Sequence, residues 1–220
     1  RGDVAAPALP DATDIRPVAP ETAVEINRQL PFAAGPNPAA RPFNLAAGSA
    51  NSRARALECL TSAIYYEAGQ ESVAGQQAVA QVVLNRVRHP AFPASVCGVV
   101  YQGSTRPTGC QFTFTCDGSL ARPPERSAWN RARRVAQAAL AGFVQPAVGN
   151  ATHYHADYVA PYWAPTLAKT AAIGAHIFYR WAGGWGVPSA FTKAWSGREA
   201  DPKALRLAAM SIPRQPVATA

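Results

Sequence analysis

The chain has 220 residues, enough for one domain with extensions, and 21 Lys and Arg against 13 Asp and Glu give a formal net charge of +8. Apart from Arg131, Arg133 and Arg134 the positive excess is spread out, which suits a polyanion such as nucleic acid, acidic lipid or an anionic cell-wall polymer without choosing among them. No apolar run approaches the ~20 residues of a membrane span, and there is no Gly-x-Ser-x-Gly, P-loop or Cys-x-x-Cys pattern to suggest a serine hydrolase elbow, a phosphate cradle or a zinc ribbon.

The chain opens Arg1-Gly2-Asp3, without Met or an apolar leader. This start is read as a processed form from which a signal peptide or an N-terminal membrane tether has been lost. Residues 1–54 are rich in Pro and Ala, with Pro7, Pro10, Pro17, Pro20, Pro31, Pro36, Pro38 and Pro42 breaking any long element. They read as a disordered or extended tether, the alternative being a short packed arm around Ile26 to Phe32.

The first clear helix spans roughly 54–68. Leu57, Leu60, Ile64 and Glu67 fall on one stripe at steps of three, four and three. Three of these positions are apolar, and the fourth is a carboxylate in the last turn, before Gly69. Burial and the negative end of the helix dipole both disfavour its ionised form. An unshifted Glu is protonated in only about one part in 500 at pH 7; a pKa near 6 raises that to about a tenth at a cost of ~2.3 kcal/mol. Such a shift would fit Glu67 to act as a general acid. The alternative is that it reaches solvent or pairs with an arginine.

Ser72 is placed to cap a second helix through Arg88, with Val79, Val82, Val83 and Val87 inward and His89-Pro90 as the stop. The two helices form a hairpin with Glu67 at its elbow. A short helix is expected over 95–101. Gln111-Phe112-Thr113-Phe114-Thr115 alternates with period two and reads as a strand, and Asp117-Gly118 as a turn. Ser127 is expected to open a helix to about Gly142, with arginines on its outer face. Residues 151–155 alternate again, with 172–181 as the antiparallel partner and 157–165 as a long aromatic loop. The catalytic domain is taken as 55–187, and 188–220 as a mostly disordered tail with a short helix near Leu205.

Cys59, Cys97, Cys110 and Cys116 form an even set, read as two disulfides in an oxidising compartment. An extended 111–115 would hold Cys110 and Cys116 ~20 Å apart, too far to bond. That leaves Cys59–Cys116 with Cys97–Cys110, or Cys59–Cys110 with Cys97–Cys116; the first is preferred because it closes the shorter loop. His153, His155 and His176 share a sheet region, but no Asp or Cys converges on them, so neither metal nor cofactor is expected. Glu71, Asp117 and Asp157 are the candidate carboxylate partners of Glu67; Asp117 also has a plain role as a turn residue.

Tyr66-Glu67-Ala68 with Glu71, Gly75-Gln76, Ala78 through Val87, Phe92-Pro93, Gly98 through Tyr101 and Gln111-Phe112-Thr113 together resemble the cell-wall hydrolase family of the spore cortex-lytic enzyme, SleB type. The resemblance covers roughly 56–182. It implies an α+β, lysozyme-like helical body with a small antiparallel sheet, and Glu67 as the acid that cuts peptidoglycan between N-acetylmuramic acid and N-acetylglucosamine. It further implies a lytic transglycosylase more than a muramidase. Gln111, Phe112, Thr113, Asp117 and Tyr154 are the expected substrate contacts. Where the common pattern is Glu-Ala-Arg-Gly-Glu, this chain has Glu67-Ala68-Gly69-Gln70-Glu71. Its cysteines and Pro-rich flanks resemble versions from Gram-negative bacteria that form no spores. Peptidoglycan, not nucleic acid, is the expected partner, the location periplasmic or extracellular, and the state monomeric. A module that binds peptidoglycan without cutting it is the competing expectation.

Overall fold

Ser49 and Ser72 start the two helices that carry the site. The Ser49 hydroxyl accepts the Ser52 N–H at 3.1 Å and opens α2, Ala50–Ala68; the Ser72 hydroxyl accepts the Gly75 N–H at 3.2 Å and opens α3, Val73–Arg88. The computed structural model describes residues 7–11, 14–45, 48–107 and 109–213. Within these, α1 (Pro20–Gln29), α2, α3, α4 (Val96–Val100), α5 (Arg126–Leu140) and α6 (Pro202–Met210) accompany β1 (His153–Ala156), β2 (Ala168–Ile173) and β3 (His176–Arg180). No helix among the described residues is long and apolar enough to cross a membrane.

α2 is the central rod, packed against α3, α4 and α5, with Leu60, Ala63 and Ile64 fully buried. α3 is buried on two sides. Ala80, Val83 and Val87 face the α2 core, while Ala78 and Val82 meet Ala171 and Phe178 of the sheet. Its small Ala and Val side chains allow both neighbours to approach closely. Three α3 side chains hold the backbone that leads into β1. Asn85 Nδ2 donates to the carbonyls of Gly149 and Ala151 at 2.9 and 2.8 Å, Arg86 Nε donates to that of Thr152 at 2.7 Å, and Gln81 Nε2 braces Asn85 at 3.0 Å. The sheet runs β1-β3-β2, antiparallel throughout, with Tyr154 opposite Phe178. The expected α+β body with a small antiparallel sheet is what forms; the stretch 172–181, expected as one strand, is the end of β2, a turn and β3, and the rest of β2 was not anticipated.

Three expectations are corrected. First, 111–115 is no strand. After an extended Phe112 the chain tightens into a 3-10 turn over Thr113–Thr115, where the Thr115 and Cys116 N–H groups bond the carbonyls of Phe112 and Thr113. Cys110 and Cys116 are thereby brought to a Cα–Cα separation of 6.5 Å and bond to each other, and Cys59 bonds Cys97 at 5.2 Å, joining α2 to α4. Neither Cys59–Cys116 with Cys97–Cys110 nor the other expected pairing forms.

Second, the stretch read as a tether is a packed arm where it is described. Pro20 and Glu21 in the first turn and Arg28 in the last suit α1 to be a helix. Asn27, buried, donates to the carbonyls of Asp157 and Val159 at 2.7 and 2.8 Å. The buried Lys169 amine caps the end of α1 by donating to the carbonyls of Asn27 and Leu30 at 2.9 and 3.0 Å. Third, the tail is structured through residue 213. Glu199, 6% exposed, accepts the Val96 and Cys97 N–H groups and the Trp195 indole N–H at 2.7–2.8 Å, and α6 surrounds Leu205 as anticipated. Residues 1–6 of the tether and 214–220 of the tail lie outside the described residues.

Candidate active site

Glu67 follows Leu60 and Ile64 on their stripe and emerges, partly buried, in the last turn of α2. Gly69, two residues on and still in helical conformation, ends the helix. Across the gap, β1 presents Tyr154, whose hydroxyl donates to Glu67 Oε2 at 2.8 Å. Burial is the largest influence on the carboxyl and pushes its pKa up to about 7; the negative charge of Asp117 adds to this, while the Tyr154 hydrogen bond and the positive charge of Arg86 pull the other way. Burial and the neighbouring Glu67 hold the Tyr154 phenol well above its ordinary value, so it remains a donor.

Arg86 is the cation of the site. It is 4% exposed, and its guanidinium lies 5.0 and 5.1 Å from the ring centroids of Phe92 and Phe112. Burial lowers its pKa to about 10, so it stays charged at neutral pH. Its Nη1 has no hydrogen-bond partner among the described residues. Glu67 makes no ion pair among the described residues, so an arginine clasp is not what holds it. Sequence reasoning passed over Arg86, although it carries the same signal as Glu67: it stands on the apolar stripe of its helix, seven residues after Val79 and three after Val83.

The cleft beside Glu67 has a volume of about 320 Å³. Gln111, Thr113, Asp117 and Tyr154 all line it, as do Arg86 and His176. Phe112 does not: it is 1% exposed and packs beneath Arg86, which removes it from the expected substrate contacts. The period-two pattern of 111–115 therefore reported real alternation, with Gln111 and Thr113 outward and Phe112 and Phe114 inward, but on a disulfide-closed loop. Asp117 has both of its anticipated aspects. Its Oδ1 accepts the Ser119 N–H at 2.8 Å in a turn whose Gly118 has φ 89°, and its exposed side chain borders the cleft.

A second hollow, about 640 Å³, lies on the other side of Glu67 and shares Tyr66, Glu67 and Ser119 as walls with the first. Glu71 borders this second hollow, and its Oε1 accepts the Ala175 N–H at 3.2 Å, fixing the β2–β3 turn. Asp157 is tied through its backbone to Asn27 and Ala175. Neither is placed as a partner across the cleft. His153 is buried against Trp181 and Phe92, His155 bonds the Tyr179 hydroxyl at 2.9 Å, and His176 meets Tyr154 edge-on at 5.2 Å. Burial lowers the pKa of all three, that of His155 to about 4. Among the described residues no three His, Cys, Asp or Glu side chains converge as metal ligands would. The site thus offers a carboxyl about half protonated near neutral pH, a phenol on one of its oxygens, a nearby cation, and a cleft beside them.

Comparison with known proteins identifies a family for the chain. The family profile described as Cell Wall Hydrolase matches residues 70–179, beginning three residues after Glu67. The spore cortex-lytic enzyme of Halalkalibacterium halodurans is 35% identical over 123 residues, 56% of this chain and 34% of that protein. That of Bacillus subtilis is 31% identical over 122 residues, 56% of this chain and 36% of the relative. The alignments span only about a third of the length of these two relatives. The solved catalytic domain of Bacillus cereus SleB is 29% identical, with 61% of this chain and 97% of that domain covered at a TM-score of 0.49. The catalytic domain of the germination-specific lytic transglycosylase SleB from Bacillus anthracis is 31% identical, with 57% and 94% covered at 0.47. The family profile accounts for half of the 220 residues, and the chain belongs to the cell wall hydrolase family.

Proposed function

We propose that the protein cleaves the glycan strands of peptidoglycan between N-acetylmuramic acid and N-acetylglucosamine, with Glu67 as general acid and then general base. The observation that carries this reading is a partly buried carboxyl with its pKa raised to about 7, at the wall of a cleft, in a chain of this family. With Oε2 occupied by the Tyr154 hydroxyl, Oε1 is the oxygen free to carry the proton. It gives that proton to the glycosidic oxygen as the bond from C1 breaks. The carboxylate left behind is stabilised by the Tyr154 hydrogen bond and the charge of Arg86. It then takes the proton of the group that attacks C1.

If that group is the 6-hydroxyl of the same muramic acid, the product is a 1,6-anhydro sugar and one carboxylate suffices for both steps. This lytic transglycosylase route needs no second carboxylate; Glu71 is bonded to the β2–β3 turn, and Asp117 borders the cleft as part of its own turn. Gln111, Thr113 and Asp117 supply polar contacts to the sugars. The net charge of +8 suits an anionic wall polymer; on this reading the protein works in the cell envelope as a monomer. Glu67→Gln should lower the rate of release from purified sacculi by at least about a hundredfold without loss of folding. Undiminished lysis by that variant would sink the assignment, and sacculus binding without release by the wild type would make the domain a binding module. A product lighter by one water than the reducing sugar identifies the anhydro route.

A further inference from the structure

The cleft has a wall that comes from outside the family-matched region. Ile15, on the N-terminal arm, lines it together with Tyr158, Val159, Pro161 and Trp163. The arm is fixed there by backbone bonds: Arg16 N–H to the Ala160 carbonyl at 3.0 Å and Tyr162 N–H to the Asp14 carbonyl at 3.1 Å, with Ile15 bridged to Pro161. The Arg16 guanidinium lies 4.5 Å from the Tyr162 ring centroid. Farther along, Asn27 and Lys169 clamp α1 to the same loop and to β2. An isoleucine left 39% exposed at the rim of a polar site offers an apolar face to a ligand.

The two sides of Glu67 are therefore unlike. The arm side measures about 320 Å³; the other, bordered by Tyr65, Gln70 and Arg122, measures about 640 Å³ and has no residue of the arm in its wall. A volume near the lower end of the ~300–1,000 Å³ usual for ligand sites holds a short piece of glycan, not a running strand.

We propose that the N-terminal arm bounds the glycan site on one side of Glu67, with Ile15 as the residue that determines how many sugars fit there. The inference rests on the proposed function and specifies its substrate range. On it, the bond that is cut lies a fixed short distance from whatever end of the strand sits against the arm.

The test uses the full chain and peptide-free glycan strands of known length, with products sized by chromatography and mass. Wild type should give a narrow set of short fragments on the arm side. Ile15→Gly should raise the share of longer fragments roughly tenfold, and Ile15→Trp should lower the rate on long strands by about the same factor, the scale on which a small change of apolar volume acts in a binding pocket. The same product lengths from all three proteins would overturn the inference while leaving the proposed function standing. No soluble product from wild type would overturn the proposed function and this inference with it.

Discussion

Replacing Glu67 by Gln should make the protein more stable at pH 8 while making it inactive. The carboxyl is raised from 4.5 to about 7, chiefly by burial. Between those two values the folded chain keeps a proton that the unfolded chain has released. Stability therefore falls as pH climbs through that window, and the loss is complete above it. At ~1.36 kcal/mol per unit the cost reaches about 3 kcal/mol, a ceiling that water at the cleft mouth trims. Below pH 4.5 both states hold the proton and the cost vanishes. Gln is neutral at every pH, has the same shape, and retains an acceptor for the Tyr154 hydroxyl. Urea unfolding of the two proteins from pH 4 to 8, disulfides intact, should show no difference at the acid end and a gap of up to ~3 kcal/mol at the other, or roughly 6–12 °C in midpoint temperature. All other titrating groups are common to both proteins and cancel in the difference. A gap that does not change with pH, or a wild type more stable at pH 8, would refute the claim that Glu67 keeps its proton because it is buried.

Two further outcomes are expected. Tyr154→Phe removes the donor that favours the ionised carboxyl, so the fall in activity on the alkaline side should move to higher pH, with a rate loss of about tenfold or more; an unmoved limb in the pH–rate profile would count against the Tyr154–Glu67 bond. Non-reduced peptide mapping with cleavage after Tyr101 should yield one fragment linking Cys59 to Cys97 and another holding Cys110 with Cys116, and Cys110→Ser with Cys116→Ser should cost ~2.4 kcal/mol by closure of the short loop and more in activity, because Gln111 and Thr113 ride on it.

What was legible in the chain was what repeats. The stripe of Leu57, Leu60, Ile64 and Glu67 placed the acid, and Ser72 placed the start of α3 to the residue. β1 is visible from alternation and β3 as its expected partner, but Ala168–Ile173 has only two β-preferring residues, Thr170 and Ile173, and becomes a strand through its pairing with β3. The misreading of 111–115 has a definite cause. Alternating burial follows from any chain that lies on a core with every second side chain inward, so it does not measure extension, and the cysteine exclusion built on extension failed with it. The packed arm stands only as the alternative in the sequence because its anchors are polar. Asn27 and Lys169 bond to carbonyls more than a hundred residues away in sequence, and no local pattern announces such partners. Arg86 and Glu67, by contrast, were equally legible, since a charge on an apolar stripe is the same anomaly whatever its sign.

The two anomalies belong together. A carboxyl sunk in a dry helix end would keep its proton too tightly to give it away, whereas one in open water would have none to give. Burial sets the first tendency, and Arg86 and Tyr154 oppose it without neutralising the acid outright. That balance depends on distance, and distance here is set by α3. The same helix packs against α2, which ends in Glu67, and through Asn85 and Arg86 grips the backbone that delivers Tyr154. A loosened α3–β1 contact would thus shift the acid's proton affinity from a distance, without touching any atom of the carboxyl. The polar side chains of α3, which sequence patterning would class as mere exceptions to an apolar face, are on this view the ones that tune the chemistry.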